Sequence, residues 1–169
     1  SKASADRVIA WFRNYAQTRI NSRLMDERRC VPPNIVLDFG NQGLLSMVVP
    51  QAQGGLGLTV RDMMRVIEQV AAVDLTLAQF IGTNNCLGVR PILRFGSEAK
   101  KDAILGDLAG GRMLASFAMT ETQAGSMVRG IRSTAVADGT GGWRITGVKR
   151  WIGSVSWAGV MNTFVRLVD

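Results

Sequence analysis

The segment Ser116-Phe117-Ala118-Met119-Thr120-Glu121-Thr122-Gln123-Ala124-Gly125-Ser126 is the part of this sequence best suited to chemistry. A strand-like run leads into a turn of small residues that carries hydroxyls and unhindered backbone N–H groups. Such main chain can approach a flat or phosphate-bearing ligand closely, because little side chain intervenes and successive N–H groups form an anion-binding concavity. Further along, Trp151-Ile152-Gly153-Ser154 supplies a large aromatic, then a glycine and a hydroxyl. Taken singly, the first fragment also reads as a plain loop and the second as a core tryptophan.

The side chains available for catalysis are restricted. The chain of 169 residues has no histidine, which excludes Ser-His-Asp and Cys-His catalysis, histidine-containing zinc sites and a histidine pH switch. Cys30 and Cys86 form no C-x-x-C pair and are too few for a zinc or iron–sulfur site, so no metal is expected. They read as buried thiols in a reducing compartment in preference to a bridge. Glu68 reads as a helix-surface or packing residue, and Asp74 as a surface or cap residue.

Hydrophobic residues make up 47% and charged residues 20%, a globular composition large enough to bury a core without disulfides or metal. The net charge of +7 and pI near 10.4 favour anionic partners: nucleic acid, phosphate-bearing cofactors or an acidic protein surface. The cations are scattered (Arg7, Arg19, Arg61, Arg94, Lys149) and no helix-turn-helix or RNP pattern occurs, so nucleic acid is not the expected partner. No apolar run approaches the roughly 20 residues of a spanning helix, and no signal peptide opens the chain, so a cytoplasmic protein is expected.

The elements that must position these residues change character along the chain. Val8, Ile9, Phe12, Tyr15, Ala16 and Ile20 recur at helical spacing up to a stop at Pro32-Pro33, and Asn34 to Leu45 fits a short second helix. Pro50 to Leu58 reads as a loop, after which Thr59 caps a helix whose apolar face is Met63, Met64, Ile67, Val70 and Ala71, with Glu68 off it. Asn85 to Phe95 and Glu98 to Leu108 read as further helices, with Ser97 as a cap. After Gly110-Gly111 the period becomes two, and Ser116–Thr120, Ser133–Ala137, Trp143–Val148 and Asn162–Val168 read as strands. The expected fold class is α+β: an all-α helical bundle over 1–111, then an incomplete antiparallel β-domain over 112–169.

Order and spacing add a more specific reading. Gly54-Gly55-Leu56-Gly57 precedes a capped helix, and Phe95-Gly96-Ser97-Glu98 and Leu108-Ala109-Gly110-Gly111 lead into Phe117-Ala118-Met119-Thr120-Glu121-x-x-Ala124-Gly125-Ser126. Gly147-x-Lys149-x-Trp151-Ile152 follows. This succession resembles the acyl-CoA dehydrogenase family, over its N-terminal helical domain and the start of its middle β-domain. The resemblance implies FAD as cofactor and α,β-dehydrogenation of an acyl thioester, on CoA or an acyl-carrier protein, in fatty acid or secondary metabolism. It implies that Phe117, Met119 and Thr120 run beside the flavin ring, and that Gly125 and Ser126 meet the pyrophosphate, Ser126 also touching the acyl-thioester substrate. Trp151 would pack on the flavin, with Ile152 and Gly153 following in the flavin-binding segment.

Three departures stand out: Thr122 replaces the family's proline, Met127 its aspartate, and Gly153 its Thr or Ser, which removes a hydroxyl expected near the flavin. The family's catalytic glutamate lies in a C-terminal helical domain, so no catalytic base is expected within these residues and the chain alone is expected to be inactive. Glu121 belongs to the turn and is not a substitute base. The expected partners are a homo-oligomer, or a chain supplying the C-terminal domain, and an electron-transfer acceptor. The competing reading is a non-catalytic binding or assembly module that holds no FAD.

Overall fold

Helix starts follow local capping chemistry. Asn21, Thr59, Asp74 and Ser97 each accept a hydrogen bond from a backbone N–H three residues on, satisfying a donor that the first helical turn leaves open. The computed structural model describes Ser1–Val168. It contains α1 (Lys2–Arg19), α2 (Ser22–Arg28), α3 (Pro33–Asn41), α4 (Val60–Ala71), α5 (Leu75–Gly82), a π-helical turn (Thr83–Val89), α6 (Arg90–Phe95) and α7 (Glu98–Ala109). The strands are β1 (Leu114–Ala118), β2 (Thr134–Ala137), β3 (Trp143–Thr146), β4 (Ala158–Thr163) and β5 (Arg166–Leu167). A helical region followed by a partial sheet region is the architecture expected from the sequence.

Several boundaries differ from that expectation. The first helix stops at Arg19, because Ile20 is extended and Asn21 caps a separate α2. α3 ends at Asn41, and Leu44 and Leu45 enter the core from the following turn. On α4 the buried stripe is Met63, Val66 and Val70, with Met64 exposed. The stripe packs with Phe12, Phe39, Leu77 and Ile81 in one continuous core. Glu68 lies exposed on α4 and Asp74 caps α5.

Strand pairing is mixed. β2 and β3 pair antiparallel, whereas β4 runs parallel to β1 and β5 parallel to β2. The fully antiparallel pairing expected from the sequence therefore holds for the β2–β3 hairpin alone. Residues 119–157 form a connection long enough to return the chain in the same direction, which a tight turn cannot do. The expected strand Asn162–Val168 divides because Phe164 N–H donates to Ala118 while Arg166 N–H donates to Ser133, so the chain passes from one sheet to the other between them.

β1 is the strand that positions the candidate site, and the π-helical turn holds it. Asn84 donates to the Leu45 carbonyl (2.6 Å) and accepts from Ala115 N–H (2.8 Å). Asn85 donates to the carbonyls of Leu44 and Ile81. Gly88 lies against the Ala115 carbonyl so closely that a Cβ there would overlap it.

Candidate functional site

Phe117 is half-buried on β1, its ring centroid 4.7 Å from that of Phe164. Met119 and Thr120 follow the strand, also half-buried. The chain then closes a tight turn, in which Glu121 N–H donates to Ala124 O (3.0 Å) and Ala124 N–H returns the bond to Glu121 O (3.2 Å). That turn delivers Gly125 and Ser126 to the surface, and nothing lies within 4 Å of the place a Gly125 Cβ would occupy. Main chain here is open to a ligand, as the glycine and its small neighbours suggest.

The second stretch lies alongside the first. Arg150 N–H donates to the Thr120 carbonyl (2.8 Å), and Ser116 Oγ donates to the Gly153 carbonyl (2.7 Å). Trp151, between these two ties, has a left-handed backbone (φ 59°) and is 83% exposed. The Arg150 guanidinium stands 5.0 Å over its ring. Ile152 is half-buried and Gly153 exposed. A bulky residue at positive φ costs on the order of 1 kcal/mol or more, and such strain gathers at ligand sites. The ring is therefore held at the surface by its backbone and by Arg150 rather than by a core.

Glu121 is buried and fully engaged. Its carboxylate accepts from Lys149 Nζ (2.9 Å), Arg132 N–H (2.7 Å), Ser133 N–H (3.0 Å), the Ser133 hydroxyl and Gln123 Nε2. The Lys149 ammonium, followed by the Ser133 hydroxyl and the Arg132 N–H, holds this carboxyl well below the usual carboxylate range. With five donors on its two oxygens and its charged form stabilised, Glu121 acts in this turn as a structural anion.

Beside Gly153 lies a largely apolar cavity of about 560 Å³, lined by Leu75, Thr76, Gln79, Phe80, Thr83 and Ser154 among others. A Cβ at position 153 would stand 3.7 Å from Thr83 Cγ2, an ordinary contact. The two cysteines are free, Cys86 half-buried and Cys30 exposed. The expectation of a buried Cys30 fails because that residue follows the left-handed cap of α2 at Arg29, in a surface turn. Ser116, Ser133, Lys149 and Asn84 support the site and were given no role from the sequence. The signal for Lys149 is its place in the Gly147-x-Lys149-x-Trp151-Ile152 motif.

Comparison with known proteins gives a consistent picture. The profile of the acyl-CoA dehydrogenase N-terminal domain matches residues 3–112, and that of the middle domain matches residues 116–169. A very long-chain specific acyl-CoA dehydrogenase of Rattus norvegicus is 34% identical over 125 residues, covering 73% of this chain and 19% of that protein. An acyl-CoA dehydrogenase of Bacillus subtilis is 28% identical over 154 residues, covering 90% of this chain and 40% of that protein. The chain thus spans less than half the length of these relatives. A glutaryl-CoA dehydrogenase of Mycobacterium smegmatis, solved in complex with FADH2, superposes with a TM-score of 0.87 at 28% identity, over 98% of this chain and 43% of that one. On the two profile matches, the chain belongs to the acyl-CoA dehydrogenase family.

Proposed function

We propose that these residues form one wall of an FAD site in an enzyme that dehydrogenates an acyl thioester. The observation that carries this reading is the bond from Arg150 N–H to the Thr120 carbonyl, which sets an exposed tryptophan beside the end of β1. The residues fit the cofactor: Gly125 leaves backbone open, Trp151 offers an uncovered ring, and Thr120 and Ser126 carry hydroxyls nearby in the chain. FAD, when bound, supplies the acceptor for the hydride that no side chain can take.

The chain's own residues bind and orient. Gly125 and Ser126 offer backbone N–H groups to the pyrophosphate. Phe117, Met119 and Thr120 line the ring's edge, and Trp151 with Ile152 and Gly153 covers it and excludes water. The cavity beside Gly153 and Ser154 takes the acyl portion of the thioester. The net charge of +7 suits CoA phosphates or an acidic carrier protein. The base that removes the α-proton comes from a helical domain like that of the longer relatives, carried on the same polypeptide or on a partner, since Glu121 cannot serve. An electron-transfer acceptor and a homo-oligomer complete the proposal.

Titration with FAD tests it. The expected result is a yellow complex whose flavin absorbance and fluorescence change on binding and whose colour fades when an acyl-CoA is added to the full-length protein. Protein that stays colourless in excess FAD overturns the proposal and supports the reading as an assembly module.

A further inference from the structure

We propose that Lys149 is a positioning residue: by pairing with Glu121 it sets the register of the Trp151 turn against the Met119–Thr120 end of β1. The inference rests on the reading of this surface as a flavin wall. Lys149 is the inward-pointing member of an exposed run. Gly147, Val148, Arg150 and Trp151 face solvent, whereas the Lys149 side chain is 11% exposed and that of Glu121 3%. Its ammonium donates to Glu121 Oε1 (2.9 Å) and to the Met119 carbonyl (3.1 Å).

Glu121 is itself fixed from the other side by the Ser133 hydroxyl and the N–H groups of Arg132 and Ser133 at the start of β2. One side chain therefore joins three segments: the end of β1, the start of β2 and the approach to Trp151. The next residue, Arg150, adds the backbone bond to Thr120. With Trp151 itself 83% exposed, packing does little to hold the tryptophan in place, and this polar lock defines where its backbone sits. Charge-assisted bonds in a buried setting have the directionality for that task, which an apolar side chain of equal volume lacks. Arginine, with a planar fork in place of a compact ammonium, cannot reproduce both acceptor directions.

The test uses the natural-length protein with and without FAD, carrying Lys149→Met, Lys149→Arg or the pair Lys149→Met with Glu121→Gln. The double variant removes the uncompensated carboxylate, so it keeps the test valid if Lys149→Met alone does not fold. Three readouts are taken: FAD affinity, circular dichroism of the bound flavin's visible bands, and hydrogen exchange of the Arg150 amide without cofactor. We expect the double variant to recover the thermal midpoint lost by Lys149→Met. FAD affinity should nonetheless remain about tenfold weaker and Arg150 exchange about tenfold faster than wild type, as for one lost charge-assisted bond. The flavin dichroism should also be altered, and Lys149→Arg should rescue it at most in part. A double variant with wild-type affinity, dichroism and Arg150 exchange overturns the inference. Wild-type protein that takes up no FAD sinks the proposed function instead, and Arg150 exchange then decides the register claim by itself.

Discussion

Ser116 Oγ and the carbonyl oxygen of Gly153 are joined by a 2.7 Å hydrogen bond, so the centre of β1 and the turn after Trp151 keep one fixed separation. Ser116 is wholly buried. Its hydroxyl ties β1 to that turn, while the Arg150 N–H ties it from the other end.

Ser116→Ala should therefore loosen the turn without disturbing the helical core. Loss of the bond costs about 1 kcal/mol, since the exposed Gly153 carbonyl can accept from water instead. Urea denaturation reads that change, and FAD titration should show weaker binding. An unchanged FAD affinity would show that the turn is held elsewhere.

Gly153→Thr is expected to be tolerated. The backbone at 153 is not in the left-handed region, and a Cβ meets only Thr83 Cγ2 at 3.7 Å. Stability should stay within about 0.5 kcal/mol of wild type. The new hydroxyl supplies the donor that the family resemblance implies at this position, and stopped-flow reduction of the flavin by an acyl-CoA in the full-length protein should accelerate by about a hundredfold, the scale of one preorganised donor.

Gly88→Ala should be severe, because the added methyl overlaps the Ala115 backbone. Either β1 or the π-helical turn must move, at a cost of about 1–3 kcal/mol. A lowered urea midpoint together with lost FAD binding is expected. Gly106→Ala, where nothing lies within 4 Å of the added methyl, is the control that should keep both.

Acid should release the Glu121 lock. Its carboxyl is depressed in the folded protein, so the stability it contributes is fully present above the ordinary carboxylate range and is lost as pH falls from that range toward its folded value. The unfolding free energy should decline through this window, and the slope should flatten in the Lys149→Met, Glu121→Gln double variant. Asp62 and Asp138, also depressed by hydrogen bonds from neighbouring hydroxyls and N–H groups, keep a residual slope in both proteins. Identical slopes would count against the lock.

Trp151→Gly separates binding from folding. Glycine relieves the left-handed backbone, by about 1 kcal/mol, and forfeits the Arg150–ring contact of a side chain that is mostly exposed. Thermal stability without cofactor should hold or rise, while FAD affinity falls.

The parts of the fold legible in the sequence were those set by local chemistry. Thr59 and Ser97 announced the starts of α4 and α7 because a hydroxyl before an apolar run finds the third N–H. From Asn85 on, the sequence of Thr83–Val89 reads as ordinary helix. Seven residues are too few for periodicity to separate a π turn from an α turn, and the close approach of Ala115 to Gly88 is a contact remote in sequence. The pairing of β1 with β4 was likewise invisible, since alternation in sequence specifies faces and not partners. The family resemblance implies that Thr120 and Trp151 share one flavin site. The atoms that join them belong to Arg150, Ser116 and Lys149, whose partners are remote in sequence.

The parallel pairing of β1 with β4 has a consequence for biosynthesis. A nascent chain emerging from its N-terminus releases the helices and β1 early, and β1 then waits through residues 119–157 for its edge partner. During that interval Asn84 and Gly88 can secure one flank of β1, while the other presents free donors and acceptors to any passing strand. Distant pairings of this kind close slowly. Within these residues, the open flank of β1 is thus the edge exposed to mispairing until Ala158–Thr163 leaves the ribosome.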